Sequence, residues 1–185
     1  MFCGGTRAEK ERIRRETRVI AGGMSEEYRR EASASITRQV LALPAWEKAK
    51  TVMAYWSLPE EPDTRELNET ALREGKTLLL PWCPDRTRMV ALPVKDLDEL
   101  VPGAFNVMVP PPADDGTDVP EADLILGPCM AATPGGIRLG HGAGYYDRFL
   151  EKHPGYKVCL CFRALVRWDL PAEEQDVPVD LVITD

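Results

Sequence analysis

The pattern of apolar and polar residues predicts two helices at the start of the chain. Residues 7–21 are largely charged and predict a first helix. Ser25 and the two glutamates after it are typical of a helix N-cap and an acidic first turn. Apolar residues then recur every fourth position and give the second helix one apolar face through about Leu43: Tyr28, Ala32, Ile36 and Val40.

Short apolar segments alternate with helical segments over the rest of the chain. The apolar segments predict strands at 51–56, 77–81, 89–93, 123–130, 157–162 and 181–184. Helices are predicted at 64–74, ended by Gly75, and at 145–152. The proline-rich segment 110–120 is predicted to be a surface loop. This order predicts one α/β domain, residues 1–185, with a mostly parallel sheet and helices on both sides.

Composition and charge narrow the class of protein. The chain of 185 residues is 44% hydrophobic and 29% charged, as in ordinary globular proteins. Its net charge of -7 argues against a general nucleic-acid-binding surface. No apolar run approaches the roughly 18 residues of a membrane helix, and the N-terminus lacks the apolar segment of a signal peptide. We therefore expect a cytoplasmic protein that binds neither membranes nor nucleic acid.

The cysteines are expected to be free thiols. The chain has five of them and no CxxC pair, and the odd count argues against a closed disulfide set. Cys159 and Cys161 stand two positions apart in a predicted strand, so they point to the same face. Burial without a partner is the expectation for these two, and a zinc or redox role is the alternative.

Residues 135–150 carry most of the candidate chemistry. The segment GGIRLGHGAGYYDRFL combines five glycines with two arginines, two tyrosines and an aspartate. Glycine lets backbone N–H groups approach an anion closely, and the predicted helix would direct its N-terminal dipole toward phosphate. Arg138 and Arg148 would clamp phosphoryl oxygens, and Asp147 is a hard oxygen ligand of the kind that magnesium prefers. The segment therefore predicts a nucleotide-phosphate site.

The glycine pattern is neither a P-loop nor a dinucleotide fingerprint. No GxxxxGK[ST] occurs, and Tyr145 or Asp147 stands where GxGxxG requires its third glycine. The glycines alone would equally fit a tight connection before a helix. The adjacent arginines, tyrosines and aspartate favour the phosphate site. No Ser/His/Asp set, HExxH motif or cysteine nucleophile motif is present.

Two basic residues of the first helix have two interpretations. Lys10 and Arg14 are four positions apart and share one helix face. Spacing alone favours a solvated face. The functional alternative is a basic arm that reaches a triphosphate.

Three acidic positions are also candidates. Glu61 follows the first strand, where its carboxylate would accept hydrogen bonds from a polar heterocycle, whereas Asp63 or Thr64 is expected to cap the next helix. Asp176 is either a surface acid or a second magnesium ligand beside Asp147.

With these residues, the chain resembles the 5-formyltetrahydrofolate cyclo-ligase family, also called 5,10-methenyltetrahydrofolate synthetases. The resemblance spans nearly everything from about Lys10 to the C-terminus, and its core is residues 138–150. Secondary matches are KxxIR at 10–14, ExxT at 61–64, Gly-Lys at 75–76 leading to Leu-Pro at 80–81, and Leu-Pro at 170–171 followed by Asp176.

The resemblance implies a three-layer α/β/α sandwich and a ligase that uses ATP and Mg²⁺. The formyl oxygen of 5-formyltetrahydrofolate is phosphorylated, N10 attacks the activated carbon, and loss of phosphate leaves the bridge of 5,10-methenyltetrahydrofolate. Such chemistry needs positioning and charge stabilisation more than a protein nucleophile. The implied partner is this small molecule, and a monomer is expected. The alternatives are a non-catalytic nucleotide- or folate-binding module on the same scaffold and a kinase for another small molecule.

The resemblance also assigns roles to individual positions. It implies ATP contacts for Lys10, Arg14, Arg138, Leu139, Gly140, His141, Gly142, Ala143, Gly144, Tyr145 and Tyr146. It implies folate contacts for Trp56, Glu61, His141, Gly142, Ala143, Gly144 and Tyr145. Asp147 and Asp176 are the implied magnesium ligands, and Arg148 and Tyr146 the implied catalytic residues.

Five positions depart from the pattern of the family. Ala132 and Thr133 stand where Phe-Asp is common, and Val109 stands where a glutamate often precedes proline. Leu165 stands in place of a usual glutamine and Gln175 in place of a usual histidine. These departures are expected to change the fine shape of the pocket and to leave the phosphate and metal elements intact.

Overall fold

The computed structural model of the chain describes residues 3–104, 107–112 and 120–185. Its helices are α1 (Cys3–Gly22), α2 (Glu26–Leu41), α3 (Pro44–Lys48), α4 (Arg65–Arg73) and α5 (Tyr145–Lys152). Short 3₁₀ turns occur at Leu97–Glu99 and Arg163–Leu165. Much of the predicted 110–120 loop, namely 113–119, lies outside the described residues.

Six strands form the main sheet, in the order β10-β9-β6-β1-β2-β3. The strands are β1 (Thr51–Met53), β2 (Thr77–Trp82), β3 (Val90–Val94), β6 (Leu124–Gly127), β9 (Tyr156–Leu160) and β10 (Leu181–Ile183). All neighbouring pairs are parallel except β2 with β3, which confirms the mostly parallel sheet. Two small antiparallel ribbons were not predicted: β4 (Val101–Pro102) with β5 (Met108–Val109), and β7 (Ala131–Ala132) with β8 (Arg138–Leu139).

The chain winds in two directions from the centre of the sheet. It passes from β1 through α4 to β2 toward one edge, and from β6 through α5 to β9 toward the other. Right-handed crossovers put α4 and α5 on opposite faces, so the sheet lies between helical layers. The strand order reverses between β1 and β6, and ligands of such sheets bind beyond the carboxyl ends of the strands at this point.

The helix ends follow the local signals in the sequence. The Ser25 hydroxyl accepts a hydrogen bond from the Tyr28 N–H at 3.1 Å, which confirms it as the N-cap of α2. Thr64 is the N-cap residue of α4 and makes no side-chain cap hydrogen bond, whereas the carboxylate of Asp63, one residue earlier, accepts from the Arg65 N–H at 2.9 Å. Gly75, with φ of 72°, takes the left-handed conformation that ends α4.

The first strand is shorter than predicted. It ends at Met53 rather than at Trp56. The carbonyl of Tyr55 accepts hydrogen bonds from the side chains of Thr64 and Asn68 instead of from a neighbouring strand. The strand therefore ends three residues before the apolar run does.

Cys159 and Cys161 are buried without a disulfide partner, as expected. Cys159 and Cys161 are 0% and 1% exposed free thiols, and Cys129 is buried beside them. Cys83 is an exposed free thiol. None of the helices in the described ranges is both long enough and apolar enough to cross a membrane.

Candidate active site

Two positions of the glycine loop have backbone conformations that favour glycine. Gly142 and Gly144 have φ of 107° and 68°, in the left-handed region. A Cβ on Gly142 would lie 3.3 Å from Cζ of Arg14, and one on Gly144 would lie 2.8 Å from Nη1 of Arg148. Gly144 is the N-cap residue of α5 and has no side chain to cap the helix. The first N–H groups of α5 are thus left for an anion.

Helix α1 lies across this loop. Ile13 packs against Ala131 and Leu139 of the β7–β8 ribbon. Arg14 donates from Nε to the carbonyl of Gly140 at 2.9 Å. The interpretation of Lys10 and Arg14 as a solvated face is therefore wrong, because Lys10 is only 8% exposed and Arg14 is anchored to the loop.

Asp147 forms an ion pair with a buried arginine. Its Oδ1 lies 2.9 Å from Nη2 of Arg138, whose side chain is 2% exposed. The same oxygen accepts from the Val177 N–H at 3.3 Å. The Arg138 guanidinium carbon also lies 5.4 Å from the centre of the Tyr146 ring, and within the described residues its Nε has no hydrogen-bond partner. Arg138 is thus held by Asp147 and by the ring face.

Asp176 is paired with Lys10. The Lys10 ammonium lies 2.6 Å from Oδ2 of Asp176 and 2.7 Å from Oε2 of Glu173. The Glu173 N–H donates to the same Asp176 oxygen at 2.7 Å. Burial alone would lower the pKa of Lys10, but the hydrogen bonds and charges of the two carboxylates outweigh it and raise this pKa.

The two aspartates fit a magnesium ion. The N–H of Val177, which follows Asp176, donates to Asp147, so Asp147 lies beside the backbone of the segment that carries Asp176. Within the described residues, Oδ2 of Asp147 and Oδ1 of Asp176 accept no hydrogen bond, and no group of three metal-ligating side chains occurs. Magnesium is commonly held by one or two carboxylates together with substrate phosphates and water, which matches this donor set.

A cleft of about 300 Å³ opens at the point where the strand order reverses. It is lined by Thr17, Arg18, Ala21, Glu60, Glu61, Cys129, Met130, His141 and Leu165. Oε2 of Glu61 accepts from the Leu58 N–H at 2.9 Å, and Oε1 lies 3.3 Å from Nε2 of His141. His141 thereby connects the glycine loop to the cleft. Trp56 is not among these lining residues and packs, half-buried, against the core.

Arg148 and Tyr145 hold the loop that follows β2. Arg148 donates to the carbonyls of Thr87 and Ala143, both at 2.9 Å, and the Tyr145 hydroxyl donates to the carbonyl of Asp85 at 3.0 Å. Burial, and next the charge of Glu61, raise the pKa of Tyr146 far above its ordinary value. A tyrosine hydroxyl with a raised pKa is protonated at neutral pH and can donate a hydrogen bond.

The departures from the family pattern have local structural explanations. Thr133 closes the β7–β8 ribbon, because its N–H donates to the Ile137 carbonyl at 2.7 Å and its hydroxyl accepts from the Ile137 N–H at 3.1 Å. Ala132 is fully buried in that ribbon. Val109 pairs with Val101 in the β4–β5 ribbon, and Gln175 is exposed.

Sequence reasoning missed several residues of the cleft. Thr17, Cys129, Met130 and Glu60 line it but belong to no motif. Cys129 and Met130 come soon after β6. The one signal for them in the sequence was that ligands of parallel sheets bind beyond the carboxyl ends of the strands. Leu165 was recognised as a departure, and its apolar side chain lines the cleft wall.

The fold and the site define an α/β sandwich with a cleft and a glycine-rich loop at the reversal of strand order. The chain belongs to the 5-formyltetrahydrofolate cyclo-ligase family, whose model matches residues 6–185. It is therefore a ligase.

Two relatives illustrate the similarity in sequence. A probable 5-formyltetrahydrofolate cyclo-ligase of Schizosaccharomyces pombe is 30% identical over 172 residues, covering 82% of this chain and 83% of the relative. The 5-formyltetrahydrofolate cyclo-ligase of Mycolicibacterium smegmatis is 34% identical over 145 residues, or 73% of each chain.

Solved structures agree with the fold. The 5,10-methenyltetrahydrofolate synthetase of Aquifex aeolicus superimposes with a TM-score of 0.81 at 32% identity, over 94% of this chain and 88% of that one. The synthetase of Mycoplasma pneumoniae has a TM-score of 0.75 at 21% identity, over 95% and 98% of the two chains, and supports the fold alone.

Proposed function

We propose that the protein converts 5-formyltetrahydrofolate to 5,10-methenyltetrahydrofolate with ATP and Mg²⁺, releasing ADP and phosphate. One observation carries the proposal. The anion-binding loop and the polar end of the cleft share a wall, because His141 of the loop lies 3.3 Å from Glu61 of the cleft. A phosphate on the loop and a heterocycle at Glu61 would then be adjacent, as transfer between them requires.

The nucleotide end is assigned to α1, the glycine loop and the start of α5. Amide groups of the loop and helix, together with Arg14, would hold phosphate oxygens. Lys10 would join them when it leaves Asp176. Asp147 and Asp176 would hold magnesium, which when bound supplies positive charge to the transferring phosphoryl group.

The folate end is assigned to Glu61 and the cleft walls. The Glu61 carboxylate would accept hydrogen bonds from pterin N–H groups, and the Leu58 N–H fixes its orientation. Met130 and Leu165 would contact the apolar face of the ring system. His141 and the loop up to Tyr145 would close the side next to the phosphate.

The chemical steps need no protein nucleophile. The formyl oxygen takes the γ-phosphoryl group of ATP as the bond between that group and ADP breaks. N10 then attacks the formyl carbon and gives up its proton, and the C–O bond breaks so that phosphate leaves with the formyl oxygen and the proton. Arg148, fixed by two carbonyls beside the loop, would stabilise charge on the phosphoryl group. The protonated Tyr146 hydroxyl would donate a hydrogen bond.

A turnover assay tests this function. The purified protein is mixed with 5-formyltetrahydrofolate, ATP and MgCl₂, and the absorbance of the methenyl product is followed together with ADP release. Product is expected only when all three are present. Absence of product with folded protein would overturn the proposal.

A second candidate is a non-catalytic binding module on the same scaffold. It is favoured by Leu165, which gives the cleft an apolar wall at a position where the family usually has a glutamine. Tight ATP binding by calorimetry without product would support the module. ADP release with another formylated pterin, but none with 5-formyltetrahydrofolate, would instead identify a kinase for that molecule.

Replacing Arg14 by alanine is expected to raise KM for ATP about tenfold, the size of one charge-assisted hydrogen bond, with KM for the folate within about twofold. The reason is its position over the loop, bonded to Gly140 at 2.9 Å. Steady-state kinetics in each substrate checks this. The exposed Arg15 on the same helix provides the control, Arg15→Ala. An equal rise in both KM values would contradict the assignment.

Replacing Glu61 by glutamine should raise KM for the folate rather than KM for ATP. The change keeps an oxygen for the Leu58 N–H but removes the buried charge that would face the pterin. We expect KM for the folate to rise at least about tenfold and KM for ATP to stay within about twofold. Glu66→Gln, on the exposed side of α4, serves as control. A selective effect on ATP would refute the role of Glu61.

A further inference from the structure

We propose that Arg18 binds the anionic glutamate tail of the folate substrate at the mouth of the cleft. The inference rests on the proposed function and adds a subsite for a different part of the substrate. Three observations support it: the charge of the Arg18 side chain, its position on α1, and the weakness of its ion pair with Glu11.

The charged side chains that line the cleft are of both signs. Among the described residues that line it, Arg18 is the one arginine or lysine, whereas Glu60 and Glu61 are acidic. A carboxylate placed next to Glu61 would be repelled, but N–H donors there would be attracted. A substrate with a pterin at one end and carboxylates at the other is therefore oriented with its carboxylates away from Glu61 and toward Arg18.

The position of Arg18 on α1 agrees with this orientation. Thr17 and Ala21 are one turn apart, nearly fully buried, and form the helix side of the cleft. Arg18 lies beside them with 53% of its side chain exposed, so part of it faces solvent. It follows Arg14 by one turn, a rise of about 6 Å. The tail would thus leave the cleft away from the loop that holds the phosphates.

The Arg18 guanidinium is available for a ligand. Within the described residues its one ion pair is with Glu11, at 3.9 Å between Nη1 and Oε1. Glu11 has a closer partner in Arg14, at 3.2 Å. A long pair between half-exposed side chains contributes little. A substrate carboxylate could instead take the planar guanidinium with two parallel hydrogen bonds.

The test compares substrates with and without the tail. KM and kcat are measured for 5-formyltetrahydrofolate and for 5-formyltetrahydropteroate, which lacks the glutamate, with the unmodified protein and with Arg18→Ala, Arg18→Lys and Arg15→Ala. For Arg18→Ala we expect KM for the folate to rise about tenfold, with kcat and KM for the pteroate within about twofold. Arg18→Lys should recover part of the loss, and Arg15→Ala should behave as the unmodified protein.

The outcomes separate this inference from the proposed function. An unchanged KM for the folate in Arg18→Ala, or an equal rise for folate and pteroate, overturns the role of Arg18 while turnover still supports the function. No turnover of either substrate by the unmodified protein overturns the function. In that case calorimetric affinities for the two compounds still decide the role of Arg18, because only the compound with the tail should lose affinity in Arg18→Ala.

Discussion

Replacing Asp147 by asparagine is expected to lower kcat at least about a hundredfold, which corresponds to about 3 kcal/mol of lost transition-state stabilisation. In the proposed reaction Asp147 supplies a charged oxygen to magnesium, and a neutral amide oxygen is a much weaker ligand. The activity that remains should require more magnesium for saturation. The measurement is kcat as a function of MgCl₂ concentration at saturating ATP and folate.

The same change should cost much less stability than activity. Asparagine keeps Oδ1 as an acceptor for the Val177 N–H and for Arg138. In the unmodified protein, Nη2 of Arg138 lies 2.9 Å from this oxygen. Because Arg138 is buried and loses a charged partner, we expect a loss of about 1–2 kcal/mol in the free energy of unfolding. Asp180→Asn is the matched control, since Asp180 accepts the Lys157 N–H at 2.7 Å and has no proposed role with metal.

Denaturation and kinetics together decide the role of Asp147. If Asp147→Asn loses stability but retains activity per folded molecule, its carboxylate only anchors Arg138. If Asp180→Asn loses as much activity as Asp147→Asn, the loss is not specific to the metal position.

Replacing Gly136 by alanine is expected to lower the free energy of unfolding by about 3 kcal/mol. Gly136 has φ of 94°, and a Cβ there would lie 2.4 Å from the carbonyl oxygen of Val179. The contact is between backbones, because Gly136 also accepts the Val179 N–H at 2.9 Å. Neither segment can move without loss of this hydrogen bond, so the strain cannot be relieved locally.

The neighbouring glycine provides the control for this experiment. A Cβ on Gly135 would have its nearest described contact at 3.8 Å, an ordinary van der Waals distance. Gly135→Ala should therefore stay within about 0.5 kcal/mol of the unmodified protein in urea denaturation. Equal stability of the two variants would show that the turn adapts to a side chain at position 136.

The elements with strong local signals could be predicted from the sequence. Helix α5 begins and ends at the predicted residues because a left-handed glycine precedes it and an amphipathic pattern runs through it. Ser25 was recognisable as an N-cap for the same kind of local reason. The order of strands and helices likewise predicted the parallel sheet.

Features that depend on tertiary contacts could not be predicted in this way. Beyond the end of β1, the Tyr55 carbonyl is bound by the side chains of Thr64, just before α4, and of Asn68 within α4, so the apolar run alone was misleading. A cationic pair at helical spacing looks the same whether it faces solvent or a partner, and the burial of Lys10 depends on Asp176, 166 residues away. The contact of Arg148 with Thr87 likewise joins distant segments.

The main sheet limits its own growth at both edges. One edge is β3, where Pro93 has no N–H to donate to a further strand. The other edge is β10, which spans only Leu181–Ile183 and offers a short template. Each edge is thus a poor template for the backbone of another molecule, so the arrangement disfavours edge-to-edge aggregation.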